Sequence, residues 1–246
     1  MMQQDGTLSS DEVARFDALA ADWWAPNGPM APLHQMNPLR AGWIEQRIRQ
    51  RFPADLPGEI LDIGCGAGLL SEALAGRGFP VLGLDAATAA IRAAETHAAG
   101  RGLPLRYRAG RLELLVEEGA RFPIVTALEL IEHVPDPARF LELLATVVVP
   151  GGLLFLSTLN RTLRALATAK IGAEYVARLL PRGTHDWRQF MPPRQLGAYA
   201  TRAGLRPLAS AGMSYDPWRR RWVESRDLSI NYIMAFEKPA AVGAGN

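Results

Sequence analysis

Glu59-Ile60-Leu61-Asp62-Ile63-Gly64-Cys65-Gly66-Ala67-Gly68 is a short apolar run, interrupted by an acid, that breaks into alternating glycines. A run of this kind reads as a strand buried on both faces that opens into a glycine loop. Leu69, Leu70, Ala73 and Leu74 follow at helical spacing, and Val81-Leu82-Gly83-Leu84-Asp85 is a second buried strand closed by another acid. The unit is strand, glycine loop, helix, strand, acid. Residues without a Cβ let the backbone approach a ligand, and the N-terminal amides of the next helix attract its anionic groups. An acid at the tip of the second strand, about twenty residues on, suits ribose hydroxyls. The unit therefore points to a nucleotide-like ligand.

Glycine spacing narrows the ligand. A dinucleotide fingerprint wants Gly or Ala as the sixth residue of G-x-G-x-x-G, whereas Gly64, Gly66 and Gly68 hold positions one, three and five and Leu69 the sixth. This favours S-adenosyl-L-methionine over NAD. Leu61 to Gly68 resembles motif I of the class I S-adenosylmethionine-dependent methyltransferases, with Ala67 where a third consecutive glycine is often found.

Working outward, Ser9 and Glu12 form a capping-box pattern, and Phe16, Leu19, Ala20 and Trp23 share a helical face. A helix is expected to about Trp24. Pro26, Gly28, Pro29 and Pro32 predict a loop ending at His34-Gln35-Met36-Asn37-Pro38-Leu39-Arg40, before a second helix carrying Leu39, Trp43, Ile44 and Ile48. From Glu59 onward strands and helices alternate, as a doubly wound sheet requires. Strands are expected near 59–63, 80–84, 104–108, 122–128, 151–157, 205–211 and 229–236. The expected architecture is one α/β, Rossmann-like domain with a seven-stranded, mostly parallel sheet and helices on both faces. Residues 1–57 would form a helical cover, 58–159 the cofactor-binding core, 160–191 a helical insertion or lid, 192–238 the last helix and hairpin, and 239–246 a disordered tail.

The 48% hydrophobic content allows a full core, and a net charge of +2 is too small to imply a nucleic-acid partner. Lys170 and Lys238 are the only lysines, and the one basic block is Arg219-Arg220-Arg221. Single Cys65 forms no internal disulfide, and neither a signal peptide nor a run of twenty apolar residues is visible. The chain is expected to be cytoplasmic, at most peripheral on the inner face of a membrane.

Thr126 to Pro137 begins where the fourth strand leaves the sheet, at the end where open α/β sheets bind ligands. If that segment is helical, Glu129, Glu132 and His133 share a face at i, i+3 and i+4. Such a set could bind a divalent cation or act as base. Glutamate oxygens suit Mg²⁺, but histidine is an unusual ligand for so hard an ion, which leaves His133 open to another role.

Asn37-Pro38-Leu39-Arg40, Glu129-Leu130-Ile131-Glu132-His133-Val134-Pro135-Asp136-Pro137, Ser157-Thr158-Leu159-Asn160-Arg161, Gly172-Ala173-Glu174-Tyr175, Pro181-Arg182-Gly183-Thr184-His185-Asp186-Trp187 and Asn231-Tyr232 complete the pattern. Together they resemble the ubiquinone-biosynthesis O-methyltransferase family over about residues 8 to 238. The resemblance implies methyl transfer from S-adenosyl-L-methionine, leaving S-adenosyl-L-homocysteine, to phenolic oxygens of polyprenylated phenol and quinol intermediates, at both O-methylation steps. It implies cofactor contacts at Arg40, Gly64, Asp85 and Leu128, to which the loop adds Gly66, Gly68 and Asp62, the last expected to accept from loop amides. It implies a metal, Mg²⁺, at Glu129, Glu132 and His133, with His133 and Glu132 as catalytic candidates. A ubiquinone-biosynthesis complex is a further partner class, and the last two strands of the sheet are expected as an antiparallel hairpin at its edge.

Leu163, Ala167, Ile171, Tyr175 and Leu179 repeat at helical spacing among Arg161, Arg164, Lys170, Arg178 and Arg182. A basic amphipathic stretch of this kind either lies on an anionic membrane or packs as a lid. Tyr175, His185 and Asp186 are candidates to line the ring pocket. Alternatives to the quinone enzyme are a methyltransferase for another small phenol or carboxylate and a non-catalytic S-adenosylmethionine-binding subunit.

Overall fold

The computed structural model describes residues 13, 14, 17, 19–25, 27, 28, 30–162, 164, 165 and 190–240. The capping box at Ser9 and Glu12, the insertion candidates Tyr175, His185 and Asp186, and the tail beyond 240 lie outside them. The chain is helical at Val13, Ala14, Asp17 and Leu19 and continues into a 3-10 turn, Ala20–Asp22.

The first long helix, α1, spans Ala31–Arg51. It starts earlier than the proline content suggests, and the expected loop at residues 34–40 is helical. Pro32 sits in the first turn, where its missing N–H has no partner to lose. Pro38 lies inside the helix and forfeits one hydrogen bond. Burial of Met36, Trp43, Ile44 and Ile48 against the sheet offsets that loss.

The alternating units then follow: β1 (Ile60–Ile63), α2 (Leu69–Ala75), β2 (Val81–Asp85), α3 (Thr88–Ala98), β3 (Leu105–Ala109), α4 (Leu112–Glu117), β4 (Phe122–Leu128), α5 (Pro137–Val147), β5 (Val148–Leu159), α6 (Pro193–Arg202), β6 (Arg206–Asp216), β7 (Arg221–Ser225) and β8 (Asn231–Glu237). The sheet order is β3-β2-β1-β4-β5-β8-β6-β7. Strands β1 to β5 are parallel, and β8 is antiparallel to both β5 and β6. Pro123 marks a shift in the β4–β5 register, as a residue without an N–H would.

The apolar runs are continuous because alternate residues serve opposite faces. Leu61, Leu82, Val125, Leu154 and Met234 pack with α4, α5 and α6. Ile60, Val81, Ile124, Leu153, Phe155 and Ile233 pack with α1 and α2. Both faces of the sheet are thus covered, as its parallel half requires.

The expected sheet of seven strands has eight, and its edge differs from expectation. β8 lies inside the sheet between β5 and β6, and the edge is the additional strand β7, which pairs antiparallel with β6. β7 is short and rich in charge, so it carries no apolar alternation to find in the sequence. It forms because Asp216 accepts hydrogen bonds from the backbone N–H of Trp218 (3.0 Å) and Arg219 (3.1 Å), which fixes the reversal.

Candidate functional site

The carboxyl ends of β1, β2 and β4 open into a cavity of about 910 Å³, counting its mouth. Its wall includes Arg40, Asp62, Gly64, Gly66, Asp85 and Leu128. These come from α1 and three strand ends, elements separated by up to 88 residues of chain. Gly68 is not on that wall. A second, apolar slot of about 310 Å³ continues past Gly64 and Asp85 between Leu84, Leu112, Leu130 and Phe140.

Gly64, Gly66 and Gly68 have φ of 68°, 54° and 89°, the left-handed region where a side chain is disfavoured. Asp85 braces the loop: its carboxylate accepts from Gly66 N at 2.8 Å and from Ala87 N at 2.8 Å. Asp62 does not take the loop amides expected of it. It accepts instead from the hydroxyls of Ser71 and Thr126, each at 2.6 Å, and so ties β1 to α2 and β4. Burial pushes its carboxyl up to about 6, against those two bonds. Burial likewise pushes the Cys65 thiol up, away from the thiolate a nucleophile needs.

The N-terminal segment covers the loop. Trp24 Nε1 donates to Ala67 O at 2.9 Å, and its ring stacks on His97 with centroids 3.4 Å apart. Asn37 Nδ2 donates to Leu69 O at 2.7 Å. Trp23, Met30, Leu33 and Asn37 also line the cavity. None of these is expected from sequence to contact the cofactor, although Trp23 stands on a helical face and Asn37 in the Asn37-Pro38-Leu39-Arg40 run. Asn37 had a usable signal: once α1 is continued through Pro38, it lies one turn before Arg40 on the same face.

The Glu129 to His133 segment departs from the helical expectation. Glu129 has φ of 52°, and only Ile131–His133 forms a 3-10 turn, so the i, i+3, i+4 geometry does not apply. Glu129 turns to Arg40, with which it forms a partly buried ion pair, and accepts from Ser157 Oγ at 2.8 Å. Glu132 is buried and accepts from Thr158 Oγ1 at 2.9 Å. His133 is half-buried. Among the described residues no three His, Cys, Asp or Glu side chains group so as to hold a metal ion. The donor set expected for Mg²⁺ is therefore not brought together: Glu129 is committed to the Arg40 guanidinium and Glu132 to the Thr158 hydroxyl.

Burial, reinforced by the charge of Glu129, pushes the Glu132 carboxyl up to about 8. A carboxyl raised in the folded state binds more protons than the unfolded chain between its ordinary value, near 4.5, and about 8. Stability is therefore fullest below that window and falls as pH rises through it, by a few kcal/mol in all. Glu132→Gln should flatten this slope in denaturant titrations between pH 5 and about 8. A slope equal to the wild type's would assign the pH dependence elsewhere.

The ends of the insertion meet at this site. Met191 N donates to Leu159 O at 3.1 Å, and Arg161 Nε donates to Phe190 O at 2.7 Å. The described ends of the insertion thus lie together at the carboxyl end of β5.

A methyltransferase domain family model matches residues 34–210. Proteins named ubiquinone biosynthesis O-methyltransferase are similar along nearly their whole length. The Methylobacterium nodulans protein is 46% identical, covering 96% of this chain and 97% of its own. That of Caulobacter vibrioides is 48% identical over 94% and 95%, and that of Coxiella burnetii 44% over 96% and 99%. Among solved structures, the magnesium protoporphyrin IX methyltransferase of Synechocystis, determined with bound SAH, matches the fold with a TM-score of 0.65 at 19% identity, covering 92% of this chain and 99% of that one.

Proposed function

The chain belongs to the ubiquinone biosynthesis O-methyltransferase family, and from that premise we propose that it methylates phenolic oxygens of polyprenylated phenol and quinol intermediates, at both O-methylation steps, using S-adenosyl-L-methionine. The observation that supports this most is the cavity whose wall gathers Arg40, Asp62, Gly64, Gly66, Asp85 and Leu128 from separate parts of the chain. We assign the donor's ribose to Asp85, its backbone approach to Gly64 and Gly66, its carboxylate to Arg40, and its adenine to Leu128 and the neighbouring apolar slot.

The reaction is an in-line displacement. A phenolate oxygen forms the bond to the methyl carbon as the carbon–sulfur bond breaks, and the sulfonium leaves as the neutral thioether of S-adenosyl-L-homocysteine. Alignment of oxygen, carbon and sulfur can contribute about 7 to 11 kcal/mol. The phenol starts near a pKa of about 10, so a base must take its proton. We assign that proton to His133, the half-buried member of the 3-10 turn, with buried Glu132 holding the turn to Thr158. No step is routed through a metal.

Residues 160–191, whose ends border the site, are our proposed lid and membrane contact, on the strength of their basic amphipathic pattern. We place the enzyme in the cytoplasm, peripheral to the membrane and available to a ubiquinone-biosynthesis complex. Among the described residues no helix is long and apolar enough to cross a membrane.

Methyl transfer from labelled donor to a prenylated catechol tests the reading. Turnover is expected, with kcat in His133→Asn lowered about a hundredfold and its acidic pH limb lost. Turnover of an unprenylated carboxylate with none of the catechol would favour the other small-molecule enzyme. Donor binding without any transfer would favour a non-catalytic subunit.

A further inference from the structure

β6 runs parallel to β4 and β5, so its carboxyl end lies at the crevice side of the sheet. The register levels Gly212 with Tyr232 and Thr158. Ser214–Asp216 therefore run on past the end of β5, about 10 Å at 3.3 Å per residue, paired only with β7. At the tip of this ribbon, residues 217–220 turn back.

The two tryptophans of the ribbon have opposite fates. Trp222 is half-buried, packs on the α1 side of the core and meets Tyr215 edge-on at 5.8 Å. Glu224 accepts from Trp43 Nε1 at 3.3 Å, which ties β7 to α1. Trp218 is 94% exposed, the extreme among the large apolar side chains at the described surface, and Tyr215 is 45% exposed. Arg219, Arg220 and Arg221 flank it, all exposed. Asp216 is the acid facing them, 3.8 Å from Arg219, so the tip keeps a net positive charge. Arg220 holds a left-handed backbone, φ 49°, where glycine would be less strained.

We propose that this hairpin tip docks on an anionic lipid surface, with Trp218 entering the headgroup layer and the arginines meeting lipid phosphates. Indole rings favour that layer, and basic side chains add attraction to anionic headgroups. A turn held by Asp216 presents the ring without the entropy cost of ordering a loop. The tip stands at the crevice end of the sheet, where a lipid-soluble ring substrate would have to enter. The functional sense of the contact rests on the proposed polyprenylated substrate, whereas the surface itself stands on Trp218 and its charges.

Full-length protein sedimented with vesicles of equal phosphatidylglycerol and phosphatidylcholine should bind, and should bind phosphatidylcholine alone more weakly. Arg220→Gln with Arg221→Gln should weaken anionic binding about thirtyfold, and Trp218→Ala about tenfold. The emission lost in Trp218→Ala, taken as a difference spectrum, should shift to the blue on vesicles. Turnover of a water-soluble catechol should be unchanged in both variants. Sedimentation of both variants equal to wild type, or no vesicle binding by wild type, would overturn the proposal. So would loss of soluble-catechol turnover in the variants, which would assign the tip to the reaction site. Absence of turnover in wild type would reject the methyl-transfer reading and leave the vesicle comparison to decide the surface.

Discussion

Gly68→Ala is expected to destabilise the fold by about 4 kcal/mol and to abolish donor binding, while Gly78→Ala, at nearly the same backbone angle, should cost about 1 kcal/mol. Gly68 has φ of 89° and Gly78 of 87°, so both substitutions carry the same left-handed strain, about 1 to 2 kcal/mol. They differ in space. A Cβ on Gly78 meets nothing within 4 Å, whereas one on Gly68 falls 2.0 Å from the Tyr107 hydroxyl and 2.7 Å from its ring.

Tyr107 cannot easily retreat. On β3 it faces Gly83 as well, where an added Cβ would come within 2.5 Å of the same ring. Two glycines thus make room for one aromatic side chain, and overpacking there adds about 1 to 3 kcal/mol. Among the described residues the buried Tyr107 hydroxyl has no hydrogen-bond partner, and burial pushes its pKa upward. Tyr107→Phe should therefore be neutral or slightly stabilising, and should recover part of the Gly68→Ala loss by removing the nearest atom. Denaturant midpoints for the four variants, with calorimetric titration of the donor, check the set. Equal losses at Gly68 and Gly78 would show that backbone strain alone governs the loop.

This glycine loop is the part of the site most legible in the sequence, because its demands are local: φ above zero, no Cβ, an acid at the next strand tip. The core was legible for the same reason, since a strand covered on both faces must be apolar throughout. What escaped depends on distant partners. Arg40 and Glu129 are 89 residues apart, and nothing in either segment names the other. Pro38 hid the length of α1, because local propensity argues against a helix that tertiary burial then supports. Glu129 to His133 misleads for the opposite reason: its acids and histidine stand at helical spacing, but Glu129 is left-handed, so the side chains diverge. β7 carries no apolar alternation and exists through its turn.

Arg40→Ala should be the most damaging single change at the ion pair, costing about 2 to 3 kcal/mol in stability and about a hundredfold or more in donor affinity. Arg40 is 5% exposed, and its partner Glu129 is also held by Ser157. Removing the guanidinium leaves a half-buried carboxylate in a site that no longer compensates it, the costly way to break such a pair. It also withdraws the influence that holds the neighbouring Glu132 carboxyl down, so that group should be pushed further up. Arg40→Ala with Glu129→Gln separates the two roles proposed for the guanidinium. The double variant removes the orphaned charge and should regain most of the stability, yet it restores nothing that could hold the donor's carboxylate. Arg40→Lys keeps the charge but loses the fork, and should fall between, with stability recovered more than affinity. Thermal melts and titration of S-adenosyl-L-homocysteine across the three variants provide the check. Recovery of donor affinity in the double variant would mean that Arg40 serves the fold through Glu129 alone, and that the donor's carboxylate is held elsewhere in the cavity.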